Sequence, residues 1–152
     1  LDSLNMQVEI AVLSENGVSR ASELSMRANQ FNLRTIRYSR SDLEKTIDDP
    51  SYDCFTVELA DKFGAYGMIS LLVINKKTQT LAFIENWIMS CRALQRGVEK
   101  KVLEYLIDYY SDENISTLQG EYIASDRNEI VKEHYQKLGF SRVENGVMEL
   151  RI

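Results

Sequence analysis

One histidine, one proline and two cysteines are all that this 152-residue chain holds of three residue types on which much protein chemistry rests. His134 stands alone, and Cys54 and Cys91 are far apart, so the sequence offers no set of four ligands for a structural zinc. No metal is expected in this domain. A Ser-His-Asp triad would rest on His134 alone, and no G-x-S-x-G occurs. The cysteines form no C-x-x-C, so a disulfide is unforced and a reducing cytoplasm is the expected compartment. No apolar run approaches the roughly 20 residues of a membrane span. No basic-then-apolar leader opens the chain, so secretion is not expected. Positive charge is also short: the net charge is -5 and the pI about 5.0, against the basic face that non-specific nucleic-acid binding needs. One proline and seven glycines leave nothing low in complexity. Hydrophobic residues at 44% and charged residues at 27% fit one globular domain over 1–152.

The patterning supplies an order of elements. Met6–Leu13 alternates as a half-buried strand, and Val18–Asn29 carries apolar residues at helical spacing. Asn29–Ser39 is irregular. Ser41–Glu44, "SDLE", reads as a capping box opening a short helix that ends by Asp48–Pro50. Cys54–Leu59, Met68–Asn75 and Thr80–Met89 read as strands, with "KKTQ" a turn between the last two. Val98–Tyr110 is the clearest helix, Ser116–Ile123 a strand, and Asn128–Leu138 a helix stopped by Gly139. Ser141–Glu144 and Val147–Arg151 flank "NG", a strong hairpin signal. No repeat or linker divides the chain.

The stretch "SCRALQRGVEKK", Ser90–Lys101, runs from an apolar strand through Gly97 into a helix. The start of a helix presents unpaired N–H groups and the positive end of its dipole, which suits a phosphate. Leu94-Gln95-Arg96-Gly97-Val98-Glu99 resembles the Q/R-x-x-G-x-G/A loop of the GNAT superfamily of acyl-CoA N-acyltransferases. Glu99 stands where that loop has a small residue, and its carboxylate would repel a pyrophosphate. The plain alternative is a strand-to-helix turn with Glu99 favouring the dipole. "NEIVKEHYQKLGF", Asn128–Phe140, resembles the GNAT segment N-x-x-x-x-x-x-Y-x-x-x-G-F. The resemblance implies an α+β GNAT fold: a mostly antiparallel mixed sheet, helices on both faces, and strands that splay before and after Val98–Tyr110. It implies Tyr135 as the acid for a departing thiolate, Glu85 as the base, and Asn128 as a helix cap or a partner for a pantetheine amide. Glu85 is otherwise the outward residue of an alternating strand. Cys91 is a nucleophile if Arg92, Arg96 or the helix start stabilises its thiolate, and otherwise a small buried cysteine. His134, one step round the helix from Tyr135, is expected to face another way.

"RASELSMRANQFNLRTIRYS", "LADKFGAYGMI" and "SCRALQRGVE" together are similar to the C-terminal region of FkbH-like proteins, whose strings run close to R-x-x-Q-L-x-x-R-T-N-Q-F-N-L, D-[KR]-F-G-D-Y-G and S-C-R-V-L-G-R-G-V-E. The Arg-Gly-Val-Glu form of the loop is that family's own. The resemblance implies a haloacid-dehalogenase-like (HAD) domain ahead of this region. It implies loading of a glyceryl unit from 1,3-bisphosphoglycerate onto the phosphopantetheine of an acyl carrier protein, as in polyketide biosynthesis. No D-x-D of the HAD catalytic type occurs here, so that chemistry would lie in the other part. The expected partners are the carrier protein and the HAD-like domain, with neither nucleic acid nor membrane. The expected cofactor is the phosphopantetheine arm, or CoA or acetyl-CoA. Arg92, Gln95, Arg96, Gly97 and Val98 would form the cradle, and Asn29 and Gln30 would bond the arm's amides. Arg92, Arg96, Lys100 and Lys101 make a basic rim that would steer an acidic carrier, or else a solvated helix end. Three readings stand: a carrier-arm-binding domain, a free-standing CoA-dependent acyltransferase, and a structural domain packed on a HAD-like partner.

Overall fold

The computed structural model describes residues 5–152. The expected strand, helix, meander, helix, strand and hairpin order is present. β1 is Gln7–Val12, α1 Val18–Arg27, β2 Phe31–Asn32 and α2 Arg40–Ile47. β3 Tyr52–Asp61, β4 Gly64–Lys76 and β5 Leu81–Met89 form the meander. α3 Val98–Ser111, β6 Thr117–Glu121, α4 His134–Lys137, β7 Ser141–Glu144 and β8 Val147–Arg151 complete the chain. Among the described residues the strands make one sheet in the order β1-β3-β4-β5-β6-β8-β7, with β2 paired to β5. Every main-path pairing is antiparallel except β5 with β6. No helix of the described residues is long and apolar enough to cross a membrane.

β4 is buried from Met68 to Ile74, so it reads as a continuous apolar run and not as an alternation. Both its faces are covered. Leu71 and Val73 join Val18, Ala21 and Leu24 of α1 and Leu43 of α2 in one cluster. Leu72 and Ile74 join Val98, Val102, Leu106 and Tyr110 of α3 and Tyr135 of α4 in the other. Each fully buried leucine here contributes about 1.5–3 kcal/mol by leaving water. α3 is helical because its apolar residues recur every three to four positions and meet one face of the sheet.

Four local expectations change. The capping box is Ser39 with Asp42, not Ser41 with Glu44: the Ser39 hydroxyl accepts from Asp42 N at 3.0 Å, and Asp42 accepts from Ser39 N at 2.9 Å. Asn128–Leu138 is not one helix but a short turn of tight helix, Glu129–Val131, followed by α4. Phe31–Asn32, within the stretch read as irregular, is a strand. His134 is buried, not turned outward, because α4 is a single turn that presents both His134 and Tyr135 to the sheet.

Gly120 of β6 lets α4 approach. A Cβ built there would lie 2.3 Å from Cζ of Tyr135, so the tyrosine ring rests directly on the glycine. Gly120→Ala should therefore destabilise the fold by about 2–3 kcal/mol through overpacking, measured as a lower urea midpoint at unchanged slope.

Candidate functional site

β5 carries a bulge. Val73 of β4 pairs with Asn86 and Ile74 with Ile84, which leaves Glu85 as the extra residue. β5 then runs parallel to β6 only over Leu81–Ile84 against Thr117–Gly120. Beyond that the two strands part, and the chain itself fills the gap. Phe31 and Asn32 take the free edge of β5 at Met89 and Ile88. Leu33 N donates to the Trp87 carbonyl at 3.3 Å, and Ile123 N donates to the Leu33 carbonyl at 2.9 Å. Three buried amides hold this insert. Asn86 Nδ2 donates to Asn32 Oδ1 at 2.7 Å, and Asn86 Oδ1 accepts from Arg34 N at 3.1 Å. Asn128 Nδ2 donates to the carbonyls of Asn32 and Ile123 at 2.9 and 3.0 Å. Asn128 Oδ1 accepts from Tyr122 and from Ser125 N, so both ends of its amide are engaged within the chain.

After β5, Ser90 accepts from Arg92 N at 3.3 Å and opens a tight turn over Cys91–Ala93. Leu94–Gly97 follows, with Gln95 at φ 62° and Gly97 at φ 77°. Gly97 is the residue before α3 and gives it no side-chain cap, so the first N–H groups of that helix are open to an anion. The flanking charges are arranged otherwise. Arg96 Nη2 donates to Asp61 Oδ2 at 2.8 Å, and its guanidinium lies 5.5 Å above the Tyr66 ring. The Arg96 hydrogen bond holds the Asp61 carboxyl below the usual carboxylate range. Glu99 lies in the first turn of α3, with Oε1 buried and unpartnered among the described residues. Gln95 is exposed, and Val98 belongs to the core.

Beside the Cys91 turn, on the α1 side, lies a cavity of about 830 Å³. Arg20, Arg27, Arg92 and Arg127 line it with Asp126 and Cys91. Leu24, Phe31 and Met89 supply its apolar part. Asn29 and Gln30 reach it too, so four expected residues, Asn29, Gln30, Cys91 and Arg92, meet here. Cys91 is exposed and free, which removes its buried alternative; Cys54 is free and buried. The Asn29 side-chain oxygen Oδ1 already accepts from Arg37 at 2.6 Å. Arg37 also donates to the carbonyls of Ser25, Met26 and Ala28, closing the end of α1.

The two expected proton-transfer residues lie on opposite faces of the sheet. Glu85 accepts from the hydroxyls of Tyr38 and Tyr52 at 2.9 and 3.0 Å, and both tyrosines pack with α1 and α2. Burial, then the Glu85 charge, pushes the Tyr38 phenol well above its ordinary value. Tyr135 belongs to the other cluster, and burial raises its phenol likewise. Its hydroxyl, Trp87 Nε1 and His134 Nε2 are all buried without a hydrogen-bond partner among the described residues. The His134 ring stands edge-on to Trp87 at 4.4 Å and to Phe31 at 5.0 Å. Sequence reasoning missed Arg20, Arg27, Arg127, Asn86, Arg34 and the two tyrosines on Glu85. Arg20, Arg27, Arg34 and Tyr38 lie in the family-like string Arg20–Ser39, and Arg127 beside Asn128; Asn86 and Tyr52 had no signal.

No protein-family model matches the chain, and no curated protein matches it. Solved structures do. The ribosomal-protein-S18-alanine N-acetyltransferase of Escherichia coli is 19% identical at a TM-score of 0.71, covering 96% of this chain and 94% of that one. The spermidine N-acetyltransferase of Vibrio cholerae, in complex with CoA and spermine, is 16% identical at 0.71, covering 95% of each chain. An aminoglycoside acetyltransferase in complex with coenzyme A is 14% identical at 0.68, again over 95% of each. The chain has the GNAT acyltransferase fold along nearly its whole length.

Two outcomes follow from this geometry. Asn128→Ala removes the buried hydrogen bond that ties β2 to the loop after β6 and the one to the Ile123 carbonyl within that loop, and should cost about 3 kcal/mol in urea unfolding. Burial lowers the His134 pKa from 6.5 to about 3. Between those values the unfolded chain binds the extra proton and the folded chain does not, so stability falls as pH drops below about 6.5. His134→Phe should remove this part of the acid sensitivity. The stability difference between the two proteins should shift in favour of the variant by up to about 1.4 kcal/mol per pH unit between pH 6 and 4.

Proposed function

We propose that this chain is an acyltransferase domain that receives its acyl group as a thioester on a pantetheine arm, with CoA as donor. The observation that carries the reading is the start of α3. A left-handed Gly97 presents uncapped helical N–H groups just beyond the carboxyl end of β5, where β5 and β6 have parted. Open sheets bind ligands beyond the carboxyl ends of parallel strands, and a helix start there suits phosphate. Solved examples of the same fold include complexes with CoA.

In this reading an acceptor amine attacks the thioester carbonyl. The C–N bond forms as the C–S bond breaks, the thiolate takes a proton, and the amine loses one. Tyr135 on one face is the proposed acid and Glu85 on the other the proposed base. Cys91 is a proposed nucleophile if transfer passes through the protein. The main chain of Gln95, Arg96, Gly97 and Val98 frames the cradle. Phe31–Arg34 stands between the two faces, held by Asn86 and Asn128.

A second reading has its own support. Arg96 is held by Asp61, and Glu99 puts a carboxylate in the first turn of α3. Both favour the single phosphodiester of a carrier-bound arm over the pyrophosphate of CoA. The chain would then be the GNAT-like domain of an FkbH-like protein, working beside a HAD-like domain on an acyl carrier protein.

Calorimetric titration with CoA and with a phosphopantetheine-loaded carrier protein separates the two. On the first reading CoA binds, Gly97→Ala weakens it about tenfold through its left-handed backbone, and Glu99→Ala tightens it about fivefold. On the second, only the carrier binds. Silence from both ligands would overturn both readings.

A further inference from the structure

The cavity beside the Cys91 turn carries a charge opposite to that of the whole molecule. The chain has 18 Lys+Arg against 23 Asp+Glu. The cavity gathers Arg20, Arg27, Arg92 and Arg127 around Asp126 as its one acid among the described residues. Arg20 is paired with Glu23 at 3.2 Å. The guanidinium groups of Arg27, Arg92 and Arg127 have no ion pair or hydrogen bond among the described residues. They come from three separate segments: α1, the turn after β5 and the loop after β6. Bringing like charges together is unfavourable unless a counter-charge joins them.

A guanidinium is a planar, bidentate donor matched to phosphate and carboxylate. The apolar part made by Leu24, Phe31 and Met89 would accept a short carbon skeleton. A volume of about 830 Å³ suits a small molecule. We infer that this cavity binds the acyl acceptor, and that the acceptor is a small organic anion bearing a phosphate or carboxylate. The inference rests on the acyltransferase reading and names its substrate class. The acceptor's neutral amine attacks the thioester carbon, the C–S bond breaks, and the amine's proton ends on the departing sulfur. A polyamine, the ligand in the Vibrio cholerae complex, carries the wrong charge for this cavity.

The test titrates the whole chain with pyrophosphate and with succinate, which separate phosphate from carboxylate, and with spermidine as the cationic control. The same titrations are repeated on Arg27→Gln/Arg127→Gln, at exposed positions that leave folding unaffected, and CoA is titrated into both proteins. The expected result is that at least one anion binds the parent, that the double variant weakens it at least about tenfold, that spermidine gives no heat, and that CoA binding is unchanged. The inference is overturned if neither anion binds, if the variant binds as well as the parent, if spermidine binds, or if CoA binding falls with the anion's. That last result would make the cavity the donor's phosphate site. Failure of the acyltransferase reading looks different: the anion binds as expected while neither CoA nor a loaded carrier does.

Discussion

Everything at the candidate site depends on how the chain satisfies backbone groups where β5 and β6 part. A parallel pair that splits inside a protein leaves buried N–H and C=O groups facing a gap, and each is costly if unpaired. Here the answer is a two-residue strand, β2, locked by the side chains of Asn32, Asn86 and Asn128. An amide both donates and accepts, so three of them can stitch two diverging strands to a third segment. Arg34 is fixed as a result. Its guanidinium pairs with Glu121 at 3.1 Å, donates to the Glu85 carbonyl at 3.1 Å and lies 5.3 Å over Phe83. The aromatic group of Phe31, Trp87, His134 and Tyr135 packs behind this insert.

The insert also divides the chemistry. On one face Glu85 is a carboxylate fed by two phenol donors, and Asn75 donates to the hydroxyl of Tyr52 at 3.1 Å. On the other, Tyr135 is closed in by Gly120 and its own cluster. Between them, at the sheet's open end, lie the helix start and the arginine cavity. The site is thus a set of groups ranged around a wall built from asparagine.

Local physics made most of the fold legible. The meander, α3 and the final hairpin announce themselves by strand-like runs, by helical spacing of Val98, Val102 and Leu106, and by Asn145-Gly146. The errors fell where two local rules competed. Ser39-x-x-Asp42 and Ser41-x-x-Glu44 are overlapping capping patterns, and only tertiary placement of Leu43 in the core decides between them. The stretch Asn128–Leu138 has helical spacing, yet its first residue is committed to holding β2, which leaves a tight turn before α4. Sequence pointed to the candidate site around Gly97 and at Asn29, Gln30, Cys91 and Arg92, which line one cavity. Arg20 and Arg27 share α1 two turns apart, but Arg92 and Arg127 stand in segments far from them in sequence, and no spacing rule connects the three segments. The partners of Glu85 were invisible for the same reason.

The arginines without partners among the described residues bear on the stability of the molecule as well as on the proposed ligand. A surface free to drift would scatter such charges or pair them with acids, since either change would calm the local repulsion. Gathered in an otherwise acidic chain without partners among the described residues, they are a local source of repulsion in the isolated fold. An engineer seeking a hardier protein would be drawn to neutralise these positions first, and would succeed by discarding whatever the cavity is for.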